Sequence, residues 1–395
     1  MKHTTTLRTL SAAGVMLLAG SALSANYAVT DLGTLSGPIV YASGVNDAGT
    51  VVGANVITPT AAMRGFSWAA GVQTDLGAPG LGNDQSHAFA INASGVIIGA
   101  GYSVHTISPQ AFRFVGGVRQ DLGAFTARAI NTAGQIAGAV PVVDGTGMIF
   151  EHACAWNAGT LSDLGTLGGS SSTALGLDDS GRIVGGSFTT GDVAMHACLW
   201  QNGLRFDLGT LGGLTSQAYA VNGSGQIVGI SDTPASGPAH AMLVTVDGAG
   251  GVLSRVDLGA PAGSNSAAYA INGAGTIVGV ANYHAAIWTS GTLTDLNTLI
   301  PAGSGWELQV ASSISPGGRI AGWGTHNGMY RAFILTPPCP GDITGDGVVN
   351  SFDLGTLLSN FGTSVAPGTQ GDLNADGVVN TFDLGILLGS FGCGA

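Results

Sequence analysis

The sequence predicts a mainly β repeat protein, a seven-bladed β-propeller, followed by a small α domain with two acidic loops. Three observations predict the propeller. A phrase recurs seven times, its turn residues obey one rule in every repeat, and the two ends of the repeat region complement each other.

Asp-Leu, mostly followed by Gly, stands at Asp31, Asp75, Asp121, Asp163, Asp207, Asp257 and Asp295. Between these marks each unit has an alternating stretch such as "AYAVN", a turn, and a "GQIVG"-like run. A variable loop, "HACLW"-like text and a short Gly-containing turn complete it. Alternation with period two marks half-buried strands. A type I turn favours Asn, Asp or Ser at its first position and Gly at its fourth. The units supply Asn46/Gly49, Asn92/Gly95, Asn131/Gly134, Asp178/Gly181, Asn222/Gly225, Asn272/Gly275 and Ser315/Gly318. Each unit therefore holds four short strands in about 44 residues, the size of a propeller blade.

The first unit is preceded by "YAVTDLG", a fourth-strand phrase without its three predecessors. The last unit has three strands, around 310–315, 319–324 and 331–335, and no Asp-Leu after them. If the N-terminal strand completes the last blade, no sheet edge stays open. An open β-solenoid also stacks repeats, but it leaves the complementary ends unexplained.

A chain of 395 residues is long enough for one large domain or two. It starts with Lys2 and Arg8, an apolar run over residues 10–23, and small residues at 22–25. That pattern predicts a secretory signal peptide over residues 1–25. The run falls short of the roughly 20 residues of a spanning helix, and no later stretch is apolar enough for one. The mature chain is thus expected to be secreted, extracellular or associated with the cell surface, with no transmembrane segment. The net charge is −12, and Lys2 is the only lysine. Without a basic cluster the chain lacks the electrostatic footprint of a nucleic-acid binder. With 45% apolar residues and 67 glycines it reads as a packed, turn-rich fold.

The text "DLGTLGGSSSTALGLDDSGRIVGGS…HACLW" from Asp163 resembles the HAF-type extracellular repeats of secreted bacterial proteins. The resemblance covers nearly all of residues 31–335 and departs at "RGFSW", "QAFRF" and "RAFIL". It implies secretion and a repeat fold, without an activity.

His152, His196, His240 and His284 recur at one position of the repeat. A metal site needs all its ligands around one ion, whereas equivalent positions on different blades lie apart. These histidines are expected to hold one backbone group in each blade. Trp68, Trp156, Trp200 and Trp288 are expected in the core between blades. Each Asp of Asp-Leu-Gly is expected to accept turn N–H groups. The remaining acids are Glu151 and Glu307 and loop residues such as Asp84, Asp144, Asp192, Asp232 and Asp247. Nothing in their spacing forms the carboxylate pair of a glycosidase. No G-x-S-x-G elbow precedes a helix-like run. No catalytic residue is assigned. Cys339 and Cys393 bracket the tail and are expected to pair, while Cys154 and Cys198 are expected to be buried thiols.

The tail spells "GDITGDGVVNSFDLGTLLSNFG" from Gly341 and "GDLNADGVVNTFDLGILLGSFG" from Gly371. Counting from Asp342 places oxygen ligands at Asp342, Thr344, Asp346, the Val348 carbonyl, Asn350 and Asp353. The second loop gives Asp372, Asn374, Asp376, the Val378 carbonyl, Asn380 and Asp383, with Gly347 and Gly377 at the sharp turns. This is EF-hand spacing, and it predicts two Ca²⁺ ions. Position 12 is Asp rather than Glu in both loops. Leu354, Leu357, Leu358 and Phe361 follow at helical spacing, as do Leu384, Leu387, Leu388 and Phe391. The two loop–helix units are expected to pack face to face and bury these leucines.

A doubled loop–helix unit with Asp at position 12 resembles a type I dockerin domain. The resemblance covers residues 339–395. It implies a cohesin-like or cell-envelope partner, read by Ser351, Phe352, Thr381 and Phe382. Dockerin helices often carry Lys or Arg there, and this tail has neither.

The expected organisation is a signal peptide at 1–25, a propeller at 26–337 and a dockerin-like domain at 338–395. The expected function is an exported non-enzymatic binding or scaffold protein docked through the tail, with glycan or protein on the propeller. The alternatives are a secreted glycoside hydrolase carried on the same tail, by analogy with dockerin-bearing enzymes, and a purely structural envelope protein.

Overall fold

The computed structural model describes residues 27–393 except 36, 58–61, 79–83, 104–107, 235–236 and 345–347. The expected signal peptide lies outside these residues. Residues 28–336 form seven four-stranded antiparallel sheets. Six blades run in chain order over residues 39–75, 85–123, 126–163, 168–209, 216–257 and 266–295. The seventh takes Trp306–Ile314, Ile320–His326 and Met329–Thr336, and its fourth strand is Ala28–Asp31 from the other end of the repeat region. Ala28 lies opposite Thr336 and Asp31 opposite Phe333. The first strand of every blade touches the first strands of both neighbours, so the ring closes and no solenoid forms.

All seven expected turns carry the N–H of the fourth-position Gly on the first residue's carbonyl, from Gly49 on Asn46 to Gly318 on Ser315. The side chains reach further. Asn46, Asn92, Asn131 and Asn222 each donate Nδ2 to the backbone carbonyl of the matching residue in the next blade, at 3.0–3.3 Å. These turn residues are nearly fully buried, so the bonds satisfy groups that water cannot reach.

The Gly that ends each "IVG"-like phrase (VVG, IIG, IAG or IVG) has a steric cause. A Cβ at Gly53, Gly99, Gly138, Gly185, Gly229, Gly279 or Gly322 would stand 1.8–2.0 Å from a carbonyl oxygen of the first strand. That strand crowds its neighbour because it is bulged in every blade, at Ser43, Phe89, Arg128, Leu175, Tyr219, Tyr269 and Ser312.

The core lies between blades. Ile98 and Ala111 of the second blade, for example, pack with Ile136, Cys154 and Trp156 of the third. Trp156, Trp200 and Trp288 are buried as expected, and Trp68 is partly buried against the cluster joining the seventh and first blades. Cys154 and Cys198 are buried free thiols. Burial, then nearby carboxylates, pushes both thiol pKa values up to about 12. Among the described residues no helix is long and apolar enough to cross a membrane.

Candidate metal and docking site in the tail

The tail holds two nine-residue helices, α1 (Ser351–Ser359) and α2 (Thr381–Gly389). Asn350 and Asn380 cap them, each accepting the N–H two residues on. Asp353 and Asp383 complete the capping boxes by accepting the Asn350 and Asn380 N–H groups at 2.9 and 2.8 Å. The other oxygen of each carboxylate reaches back to the loop's start. Asp353 Oδ1 accepts the N–H groups of Ile343 and Thr344 at 2.9 Å. Asp383 Oδ1 accepts those of Leu373 and Asn374 at 2.7 and 3.1 Å. One side chain in each half thus closes the loop and starts the helix.

The halves interlock. The Val349 N–H donates to the Cys393 carbonyl and the Gly392 N–H to the Val349 carbonyl. In the other half, the Val379 N–H donates to the Thr363 carbonyl and the Gly362 N–H to the Val379 carbonyl. Val349, Val379, Leu357 and Leu387 form the fully buried centre. A disulfide joins Cys339 to Cys393 across a sequence separation of 54 residues. The stripes are therefore only half inside. Leu357 and Leu387 are buried, whereas Leu358 and Leu388 stand exposed, contrary to the expected burial of the leucines, and Phe361 and Phe391 are exposed too. Leu354 and Leu384 are partly buried against the same centre. Phe352 and Phe382 are each 74% exposed, on the outer side of the first helical turn.

The donor set suits a cation. Asp353 and Asp383 are 0% exposed and Asp372 is 1% exposed, in a tail with no Lys, Arg or His to neutralise them. Burial pushes the Asp353 carboxyl up. The hydrogen bonds from Asn350, Thr344 and Ile343 outweigh it, so its pKa lies below the usual carboxylate value. The Asn374 side chain, followed by the Val378 N–H, holds Asp376 below that value too. Among the described residues no three His, Cys, Asp or Glu side chains converge as a metal cluster. In the second loop the Asp372 and Asp376 oxygens are turned onto N–H groups of Asp376, Gly377 and Val378. A calcium loop also draws on amide and backbone oxygens, here from Asn374, Asn380 and Val378, and each carboxylate keeps lone pairs beyond those bonds. Of the first loop, Asp346 and Gly347 lie outside the described residues.

The repeated histidines hold a side chain, not the expected backbone group. Nδ1 of His152, His196, His240 and His284 lies 2.7–2.9 Å from Asp163, Asp207, Asp257 and Asp295 of the adjacent strand. In the last blade His326 reaches Asp31 of the closing strand at 2.8 Å. Six of the seven Asp residues also accept the N–H two residues on, as at Gly165 and Asn297. The constant interval of eleven residues between His and Asp in three units carried this signal. Asp144 and Asp247 close their own turns, and Asp192 and Asp232 tie neighbouring loops through Ser170 and Thr215. Asp84 is buried and accepts from Ser103.

Residues 340–389 match the dockerin type I domain. Dockerin domains bind Ca²⁺, type I dockerins bind cohesins, and proteins that carry them are typically extracellular or at the cell surface. Among curated proteins none matches the sequence. Part of the chain is similar to solved structures. Puromycin hydrolase is 16% identical with a TM-score of 0.50, over 77% of this chain and 52% of that one. TolB from Acinetobacter baumannii is 12% identical with a TM-score of 0.41, over 73% of this chain and 64% of its own. An oligogalacturonate lyase in complex with manganese is 11% identical with a TM-score of 0.49, over 78% and 93%. The chain thus spans less than two thirds of the first two. At such identities the puromycin hydrolase likeness is one of fold alone. The chain is a seven-bladed propeller that carries a dockerin type I domain at residues 340–389.

Proposed function

We propose that this chain is an exported, non-enzymatic propeller docked to a cohesin-type or cell-surface partner through its calcium-loaded tail. The reading divides the chain into a signal peptide at 1–25, a propeller at 26–337 and a docking domain at 338–395. The observation that carries it is the dockerin match over 340–389, together with Phe352 and Phe382 exposed at equivalent positions of the two halves. Two Ca²⁺ ions are assigned. One is held by Asp342, Thr344, Asp346, the Val348 carbonyl, Asn350 and Asp353. The other is held by Asp372, Asn374, Asp376, the Val378 carbonyl, Asn380 and Asp383. Calcium supplies the positive charge that the buried carboxylates lack. Ser351, Phe352, Thr381 and Phe382 are the partner-reading residues. The non-enzymatic reading of the propeller is supported by its loop acids, several of which are engaged in closing turns and tying loops.

Binding of the full chain to type I cohesin modules, with calcium and with chelator, tests this. Calcium-dependent binding that Phe352→Ala and Phe382→Ala together abolish is expected. Absence of binding across a cohesin panel, from a calcium-loaded chain whose tail melts cooperatively, would sink the docking reading.

A further inference from the structure

A cleft of about 270 Å³ opens between the third and fourth blades, at the end of the sheets that carries the first-strand turns. That is just under the roughly 300 Å³ at which small-molecule pockets begin, room for a single ring. The space has a cause in the sequence. At the next interface Leu199 lies opposite Phe206 on the fourth strand, and both pack against the fifth blade. One interface further, Leu243 lies opposite Val256 and packs with Trp288 of the sixth blade. The matching pair in the third blade is Ala155 opposite Ser162. Cross-strand partners share a face of the sheet, so Ser162 looks onto the cleft that Ala155 lines. Two large side chains give way to two small ones, and the gap between these blades stays open.

The walls are fixed. Arg205 Nε donates to the Leu164 carbonyl at 2.6 Å, and Trp200 Nε1 donates to the Gly165 carbonyl at 3.3 Å. The outer hairpin of the fourth blade is thereby bonded to the third. Ile183 and Trp200, both buried, and Ala155 give the cleft an apolar floor. Its rims are amides. Asn157 and Asn202 stand exposed on the two outer hairpins, one on each side. Gln135 Oε1 accepts from Asn131 Nδ2 at 2.8 Å, which leaves Nε2 to donate. Among the described residues the lining holds one cation, Arg205, and one acid, Asp163. Arg205 is engaged with a backbone carbonyl, and Asp163 lies 2.9 Å from His152. With one charge of each sign, the cleft selects neither an anion nor a cation.

We propose that this cleft binds one neutral pyranose unit of a glycan. The ring lies on the floor of Ile183 and Trp200, and its hydroxyls meet the side chains of Gln135, Asn157 and Asn202. An amide both donates and accepts, as a hydroxyl does, so amide rims around an apolar floor match a ring with apolar faces and a polar edge. Walls already bonded together need no ordering when the sugar enters. This gives the propeller a ligand class independently of what the tail docks to.

Titration calorimetry on the full calcium-loaded chain tests it with the methyl glycosides of glucose, galactose, mannose, xylose and N-acetylglucosamine. Cyclohexanol and acetate serve as apolar and anionic controls. At least one glycoside is expected to bind roughly tenfold more tightly than both controls, the difference that one or two hydrogen bonds make. Ser162→Phe copies Phe206 and is expected to fill the cleft and abolish binding. Asn157→Ala is expected to weaken binding several-fold. Melting curves matching the parent's show that both variants fold. Binding of no glycoside overturns the proposal. A control that binds as tightly as the best glycoside overturns it too, as does unchanged binding in either folded variant. Cohesin binding is read separately, so its failure leaves this result standing.

Discussion

In the propeller, apolar side chains from adjacent blades pack into seven interlocked clusters. In the tail, four apolar side chains are fully buried, and three aspartates are buried as deeply. The propeller repeats a small device many times. An Asn on the next blade's carbonyl or a His on the next strand's Asp is worth little alone. The tail uses each device twice and cannot lose one. A ring of seven blades buries enough surface to stand on its core. A domain of under about sixty residues needs a staple, a metal, or both.

Substitution of the two capping carboxylates should separate the halves most sharply. Asp353→Ala with Asp383→Ala removes six backbone N–H partners from buried positions. Calorimetry should show the tail's transition lost and the propeller's unmoved. Reduction of Cys339–Cys393 comes next. Opening a loop of 54 residues costs about 4 kcal/mol by chain entropy, so the tail's urea midpoint should fall while the propeller's stays. If both midpoints fall together, the halves are not independent.

Within the propeller, His87 gives the larger pH effect. Its folded pKa of about 4 lies below its ordinary value of 6.5. The unfolded chain therefore binds a proton first as pH falls. The contribution is fully present above about 6.5 and is lost towards pH 4, at most about 3 kcal/mol. His87→Gln should flatten the propeller's stability between those limits, as measured by denaturant midpoints across pH. The smallest effect is expected from His196→Ala. Its pair with Asp207 is partly exposed, so the propeller should lose less than about 1 kcal/mol.

The blade count was legible because one rule, Asn, Asp or Ser with Gly three residues on, was repeated seven times. Ring closure was legible in the unmatched strand before Gly33. The bulge was not, because it depends on register between two strands, although the Gly ending each second-strand phrase, as in "IVG" or "IAG", marks where the backbones press together. The loop spacing made the tail's acids legible. The position-12 carboxylate's bonds to the loop's own N–H groups, and the exposure of Leu358 and Leu388, were not. Helical period names a stripe without saying how much of it a partner helix can cover.

Calcium titration followed by scanning calorimetry on the intact chain tests the contrast most directly. A tail transition that climbs with calcium and collapses with chelator, beside a propeller transition that ignores both, is the expected result. A tail that melts at one temperature with and without calcium would contradict the account.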